Sequence, residues 1–230
     1  MTDKTPVLTP RFVNRLEGTK ITQIAIGKYH SIAISGTGDV YSWGHHGEWR
    51  LGLPSKNPEP FPMKIPGIEG VTGGGKLIEK IGEASDNVKL MGKGQQINMW
   101  HVYQAANGAQ HTVALTKGGN VWVWGEGRNG ALGLGETVNY DVMNPTLMIK
   151  NSLTRVVSVS AGAFHSIAIT ASGEVYTWGN GEAGQLGTGS TGLEFNPRVV
   201  ESLQGRKIIQ AYLEFFSFQS LWREFFCCLD

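Results

Sequence analysis

Three stretches of the chain align without a gap: GKYHSIAISGTGDVYSWGHHGEWRLG from Gly27, GAQHTVALTKGGNVWVWGEGRNGALG from Gly108, and GAFHSIAITASGEVYTWGNGEAGQLG from Gly162. Nothing else constrains the fold as strongly, because a unit this short cannot bury both of its faces alone and must stack on its neighbours. In each copy a histidine (His30, His111, His165) opens an apolar run and a Trp-Gly pair (Trp43-Gly44, Trp124-Gly125, Trp178-Gly179) closes the next one. SIAIS, TVALT and SIAIT are short and β-branched, with Ala on the second face, which suits a strand buried on both sides. The turns SGTGD, TKGGN and TASGE place Gly38, Gly119 and Gly173 where a hairpin needs positive φ. VYSW, VWVW and VYTW then return as partner strands. Repeated hairpins of this kind predict an all-β chain, with a β-propeller as the common solution.

The second copy also contains G-x-G-x-x-G at Gly125, Gly127 and Gly130, directly after the strand-like VWVW. A dinucleotide fingerprint requires a helix immediately after its glycines, to hold the pyrophosphate on the helix N-terminus. ALGLGE is a poor helix start, and the third copy repeats the same glycine pattern, so the motif reads as a repeated turn. A second repeated element, P-x-x-V-x-x-L-x-G, occurs at Pro10 to Gly18 and at Pro197 to Gly205, with looser copies from Pro62 and Pro145.

Glycine, at 32 of 230 residues, is about twice its usual share and is dispersed among aromatic and β-branched residues, in keeping with many tight turns. A formal net charge of +1 gives no electrostatic reason to expect nucleic acid. Neither a signal-peptide core nor a run of about 18 apolar residues is visible, so the reading is a cytoplasmic or nuclear protein without a membrane partner. The two cysteines, Cys227 and Cys228, are adjacent and cannot staple a fold, which suits a reducing compartment. They stand near a terminal Asp that prenylation does not favour.

Taken together, G-x-x-H-S-x-A-x, G-x-V-[YW]-x-W-G and L-G resemble the repeat of the regulator of chromosome condensation family, over roughly residues 10–210. The resemblance implies a propeller of seven blades when complete. It also implies a range of functions: nucleotide exchange on the small GTPase Ran, or interaction modules in large ubiquitin ligases and other proteins.

The chain departs from that pattern in three places. Trp124 and Trp178 stand 54 residues apart, so seven units would need about 378 residues, and the expected architecture is an incomplete propeller of about three blades with flanking strands. Its open strand edges would permit self-association. From Ala211 the sequence AYLEFFSFQSLWREFFCCLD lacks the turn glycine and the histidine that a fourth copy would carry at 216 and 219. It reads as an off-family tail over 211–230, of out-of-frame, intron-derived or alternative-terminus origin, or as an amphipathic docking tail. Trp43 and Trp124 are 81 apart, and the excess is assigned to an insertion at about 71–107, either an ordinary long loop or a protruding wedge. The expected organisation is therefore an N-terminal tail at 1–9, a partial propeller at 10–210 with repeats at 27–52, 108–133 and 162–187, and the tail.

One histidine per blade leaves no convergent metal or general-base site, and no cofactor or catalytic residue is expected. The bland reading makes each imidazole a hydrogen-bonding group to backbone within its own blade and each WG indole a core residue. The positions that break the repeat are more informative. His45, His46, Trp49 and Arg50 stand where the second copy has Glu126, Gly127, Gly130 and Ala131. Trp and Arg are favoured contact anchors, so this turn is the candidate partner-binding site, with neutral loop variation as the alternative. The functional expectation is a protein-interaction propeller without intrinsic chemistry. The alternatives are an exchange factor for a Ran-like small GTPase and a recruitment module related to large ubiquitin ligases.

Overall fold

A computed structural model of the chain describes residues 9–68, 100–148, 153–213 and 224–228. Each of the three sequence copies forms the middle of a four-stranded antiparallel meander. The first sheet contains β1 (Ile21–Ile26), β2 (His30–Ser35), β3 (Val40–Gly44) and β4 (Glu59–Lys64). The second contains β5 (Val102–Asn107), β6 (His111–Thr116), β7 (Val121–Gly125) and β8 (Val142–Leu147). The third contains β9 (Val156–Ala161), β10 (His165–Thr170), β11 (Val175–Asn180) and β12 (Leu193–Val199). A fourth, two-stranded sheet pairs β13 (Ile208–Leu213) with β14 (Glu224–Cys228).

The repeated letters are explained by register. In all three sheets the motif histidine lies directly across from the WG glycine: His30 from Gly44, His111 from Gly125, His165 from Gly179. That glycine has φ of 119°, 104° and 109° in turn. A Cβ on Gly179 would sit 2.5 Å from the Phe164 carbonyl oxygen and 2.6 Å from the His165 Cα. Both backbone conformation and space therefore exclude a side chain. The hairpin glycines Gly38, Gly119 and Gly173 also have positive φ, as the turn chemistry predicts.

The sheets stack face to face, with the first strands β1, β5, β9 and β13 as successive neighbours. Strand β6 and strand β10 are buried at every position, and Ala33, Ala114 and Ala168 are fully buried on the second face. Each seam between sheets holds its own apolar cluster. Ile32, Ile34 and Leu51 meet Ala105, Ala114 and Trp124 in the first. Val113, Leu115 and Leu132 meet Val159, Ala168 and Trp178 in the second. In the third, Ile167, Ile169 and Val175 meet Ile208 and Ala211. The prolines of the second repeated element, Pro62, Pro145 and Pro197, lie on the outermost strands β4, β8 and β12, where a missing N–H costs no ladder bond.

Two of the sequence boundaries look different in three dimensions. Strand β5 occupies the last six residues of the segment assigned to an insertion at about 71–107, where YQAA gives little apolar alternation; residues 71–99 lie outside the described residues. Strand β13 crosses position 210 into the tail, and β14 lies wholly within it. The β13–β14 register repeats that of β1–β2: Ala211 faces Phe226 as Ile24 faces Ala33, and the same irregularity follows the first pair. Glu224 thus holds the place of Ser31, four residues later than a 54-residue period puts it. Backbone pairing fixes register whether or not the motif letters are present.

Gly179→Ala is expected to cost roughly 2–4 kcal/mol, because overpacking and a left-handed backbone act together. Gly189→Ala, at φ 79° with nothing within 4 Å of the added methyl, should cost only about 1 kcal/mol. Urea denaturation of the two variants measures the difference.

Candidate functional site

The repeated aromatic and imidazole side chains form joints between sheets. Trp124 Nε1 donates to the Arg50 carbonyl at 3.0 Å, and Trp178 Nε1 donates to the Ala131 carbonyl at 2.9 Å. Arg50 and Ala131 occupy the same place in consecutive repeats, so each indole reaches back to the turn of the preceding sheet. The imidazoles reach forward. His30 Nε2 lies 2.9 Å from Thr112 Oγ1, and His111 Nε2 lies 2.9 Å from Ser166 Oγ. The expectation that each imidazole bonds backbone within its own blade is corrected here for His30 and His111: the partner is the hydroxyl that follows the histidine of the next copy. The signal was present in the motif, since H-[ST] recurs in all three, but only stacking brings the two columns together.

The hydroxyl directions set the tautomer. Thr112 Oγ1 donates to Asn107 Oδ1 at 3.1 Å, and Ser166 Oγ donates to the Ala131 carbonyl at 2.9 Å. Each hydroxyl has one proton, so it accepts from the imidazole, and His30 and His111 carry theirs on Nε2. A third device is a glutamine clasp. Gln23 holds both the N–H and the carbonyl of Ala105, each at 3.0 Å, and Gln104 does the same to Val159 at 3.3 and 3.0 Å. The glycine that opens each repeat permits this approach, for a Cβ on Gly27 would lie 2.6 Å from the Gly108 carbonyl oxygen.

Burial lowers the pKa of His30 and His111 to about 3 and that of His165 to about 4; the Arg50 guanidinium adds to the effect at His30. These imidazoles are neutral, enclosed and one to a sheet, an arrangement that presents no base to a substrate. Among the described residues no three His, Cys, Asp or Glu side chains come together as a metal site. No described helix is long and apolar enough to cross a membrane.

The structure divides the candidate partner turn. His45 is exposed and Trp49 is half-buried, but His46 and Arg50 are 5% and 2% exposed. Direct contact anchors at His46 and Arg50 are therefore corrected to internal supports. The Arg50 side chain folds inward because its Nε bonds the Gly47 carbonyl at 2.6 Å, its guanidinium pairs with Glu48, and it lies 5.3 Å from the Tyr29 ring centre. The His46 ring packs edge-on to Trp49 at 4.9 Å, and Lys56 Nζ lies 5.2 Å from the Trp49 ring. Burial holds the His46 pKa below its ordinary value. Across the seam, Glu126 titrates above the usual carboxylate range, through burial first and then the neighbouring Asp141 carboxylate.

The turn is also strained. Glu48 and Trp49 have φ of 52° and 57°. Trp49 takes the place of Gly130 and Gly184, which have φ of 72° and 79°. A non-glycine residue held in that region costs on the order of 1–3 kcal/mol. Trp43 departs from its column as well: it is half-buried, whereas Trp124 and Trp178 are fully buried.

Radially stacked four-stranded meanders joined by buried Trp and His define a repeat β-propeller. The regulator of chromosome condensation (RCC1) repeat model matches residues 37–78, 118–169 and 172–212, and a second model of the same repeat matches 21–48, 104–131 and 156–185. The chain belongs to the RCC1 repeat family. Among curated relatives, it is 30% identical to the human E3 ubiquitin-protein ligase HERC2 over 90% of this chain and 5% of that protein. It is 31% identical to the Arabidopsis thaliana ultraviolet-B receptor UVR8 over 89% of this chain and 39% of that protein. The chain thus spans well under half the length of either relative. Among solved structures, human WBSCR16 is similar with a TM-score of 0.63 at 21% identity, covering 86% of this chain and 43% of that one. Prp20p of Saccharomyces cerevisiae, whose structure was described with its binding to Gsp1p and histones, gives 0.63 at 19% identity, with 84% and 41% covered. These likenesses establish the propeller fold, and the chain is an RCC1-type propeller of three four-stranded sheets and one two-stranded sheet among the described residues.

Two outcomes follow. The unfolded chain binds protons at its histidines near pH 6.5 while the folded one does not, so stability is complete above pH 6.5 and is lost as pH falls towards 3–4. The loss should approach about 1.4 kcal/mol per pH unit for each buried histidine, measured by urea denaturation between pH 7.5 and pH 5. Trp49→Gly should leave the melting temperature unchanged or raise it, by relieving the left-handed backbone. Trp124→Ala should cost about 3–5 kcal/mol. Calorimetry of both variants checks this pair.

Proposed function

We propose that this chain is a protein-recognition module that acts through its surface turns and carries out no covalent chemistry of its own. The observation that carries the reading is the strained turn His45–Arg50. Where two sister repeats use glycine, this one keeps Trp49 in a left-handed conformation, packed against His46, while Arg50 holds the neighbouring Gly47 and Glu48. A costly conformation held by buried polar groups is characteristic of a turn shaped for contact. In this reading His45 and Trp49 touch the partner, and Arg50 is a positioning residue. The partner is a protein. The imidazoles and indoles that might have suggested chemistry are consumed in the joints between sheets, which supports recognition over catalysis.

A second reading, a recruitment module within a larger ubiquitin-ligase-type protein, is favoured by the 30% identity to HERC2 across nearly the whole chain. It is compatible with the first, since recruitment is recognition placed beside another activity. The exchange-factor reading for a Ran-like GTPase requires only a surface that binds the nucleotide-free GTPase more tightly than the loaded one. The likeness to Prp20p bears on its fold alone.

Affinity capture followed by quantitative mass spectrometry, comparing wild type with Trp49→Gly and His45→Ala, tests the first reading. Loss of specific captured proteins with an unchanged melting temperature supports it; identical capture profiles overturn it. Release of fluorescent GDP from Ran, with the protein at micromolar concentration, tests exchange, and an unaccelerated rate removes that reading.

A further inference from the structure

The two ends of the strands carry different chemistry. The His45–Arg50 turn lies where β3 passes to β4, and the hairpins that join β2 to β3, β6 to β7 and β10 to β11 lie at the opposite end. Along that opposite rim each hairpin sits on the residue that precedes the next sheet. A Cβ on Gly38 would lie 2.8 Å from the His101 ring, one on Gly119 3.0 Å from the Arg155 Cα, and one on Gly173 2.9 Å from the Lys207 Cα. Lys20 holds the same place ahead of the first sheet, for its carbonyl accepts from Gly36 as that of Arg155 accepts from Ala171. This column is therefore Lys20, His101, Arg155 and Lys207. Burial first, and then the Lys117 ammonium, hold the His101 imidazole below its ordinary pKa, so it is the uncharged member.

The middle hairpin departs from its sisters in charge. Lys117 stands where the others have Gly36 and Ala171, and Asn120 where they have Asp39 and Glu174. One position gains a cation and the other loses a carboxylate. Beside this hairpin, Arg155 is held at φ 52°, in the left-handed region. The sister segments put that conformation two residues earlier, on Gly18 and Gly205, where this copy has Leu153. Strain kept at an exposed arginine, next to a hairpin of altered charge, marks a surface shaped for contact.

Lys20, Lys117, Arg155, Arg206 and Lys207 are exposed, and none forms an ion pair with a described residue. Of the hairpin carboxylates, Asp39 pairs with Lys64 at 3.0 Å and Glu174 accepts from Ser172 at 2.9 Å. The middle hairpin and the described residues that lead into β5 and β9 contain no carboxylate. Past the third hairpin, a cleft of about 290 Å³ is floored by Val175, Val200 and Leu203 and edged by Arg206 and Lys207.

We propose that this rim, with Lys117 and Arg155 at its centre and Arg206 and Lys207 beside the cleft, docks an acidic segment of a partner polypeptide. The carboxylates of the segment meet the cations, and an apolar side chain enters the cleft. A phosphate backbone fits less well, because Glu174 also lines the cleft and the valine and leucine floor offers phosphate nothing to bind. Charge complementarity of this kind sets specificity and association rate, and salt screens it. The surface lies at the opposite end of the strands from the His45–Trp49 turn and does not depend on the function proposed above.

Fluorescence anisotropy of the whole chain tests this, with a labelled glutamate-rich peptide carrying one leucine, a matched peptide with glutamine for glutamate, and single-stranded DNA of equal length. Wild type is expected to bind the acidic peptide at about 50 mM salt and several-fold more weakly at about 300 mM. Lys117→Ala and Arg155→Gly should each weaken binding about threefold, and together about tenfold. Arg155→Gly should leave the melting temperature unchanged or raise it, since glycine suits φ 52°, so its lost affinity is not lost folding. Arg128→Ala, which removes a cation from the other end of the strands, should change binding less than about twofold. A wild type that fails to bind the acidic peptide at about 100 μM, or that binds the glutamine peptide equally well, overturns the proposal. An effect of Arg128→Ala as large as that of the rim variants overturns the assigned surface. Tighter binding to the DNA than to the peptide overturns the polypeptide as occupant.

Discussion

The joint between adjacent sheets carries the whole structure. No single sheet can fold alone, because β6 and β10 are buried on both faces and each seam supplies only half of a core. What fixes the spacing and rotation from one sheet to the next is a set of directed bonds in a buried seam. An indole reaches back to a turn carbonyl, an imidazole reaches forward to a hydroxyl, and a glutamine clasps a strand. Buried polar groups are expensive when unmatched, so these bonds select one arrangement among the many that hydrophobic contact alone would allow. The Ala131 carbonyl accepts from both Trp178 and Ser166, which ties two of these devices to one oxygen.

This use of histidine and tryptophan separates structural repetition from function. A repeated side chain that is bonded within a seam, as Trp124, Trp178, His30 and His111 are, has no freedom to serve a partner. A residue that departs from the repeat is released from that duty. His45 and Trp49 are of this kind, and their turn pays its strain with the help of an inward-folded Arg50, whose main-chain carbonyl still serves as the acceptor for Trp124. The candidate site is thereby coupled to the first seam: the same residue supports the surface turn and receives the indole of the next sheet.

The legibility of the site was uneven for the same reason. Trp49 could be singled out from its column, where glycine stands twice, and its backbone conformation is the one glycine would adopt. His46 and Arg50 were singled out by the same rule, yet they are buried, because a guanidinium can turn inward when a main-chain carbonyl and a carboxylate wait within two or three residues. Side-chain direction in a turn depends on such local competition, which residue identity alone leaves open. Strand β14 was hidden for a different reason: it is held by backbone pairing in the register of a repeat whose letters it lacks.

The sequence by itself determined the two hairpin strands of each repeat, their turns and the period, because glycine's positive φ, β-branched runs and the fixed His-to-Gly spacing act over a few residues. It also determined the family, through letters that recur in three copies. Only the tertiary structure decided which groups meet across the seams and which side chains of the first turn remain at the surface. Those outcomes depend on distances between sheets that are far apart in the chain, and such distances are set by stacking, to which no local pattern gives access.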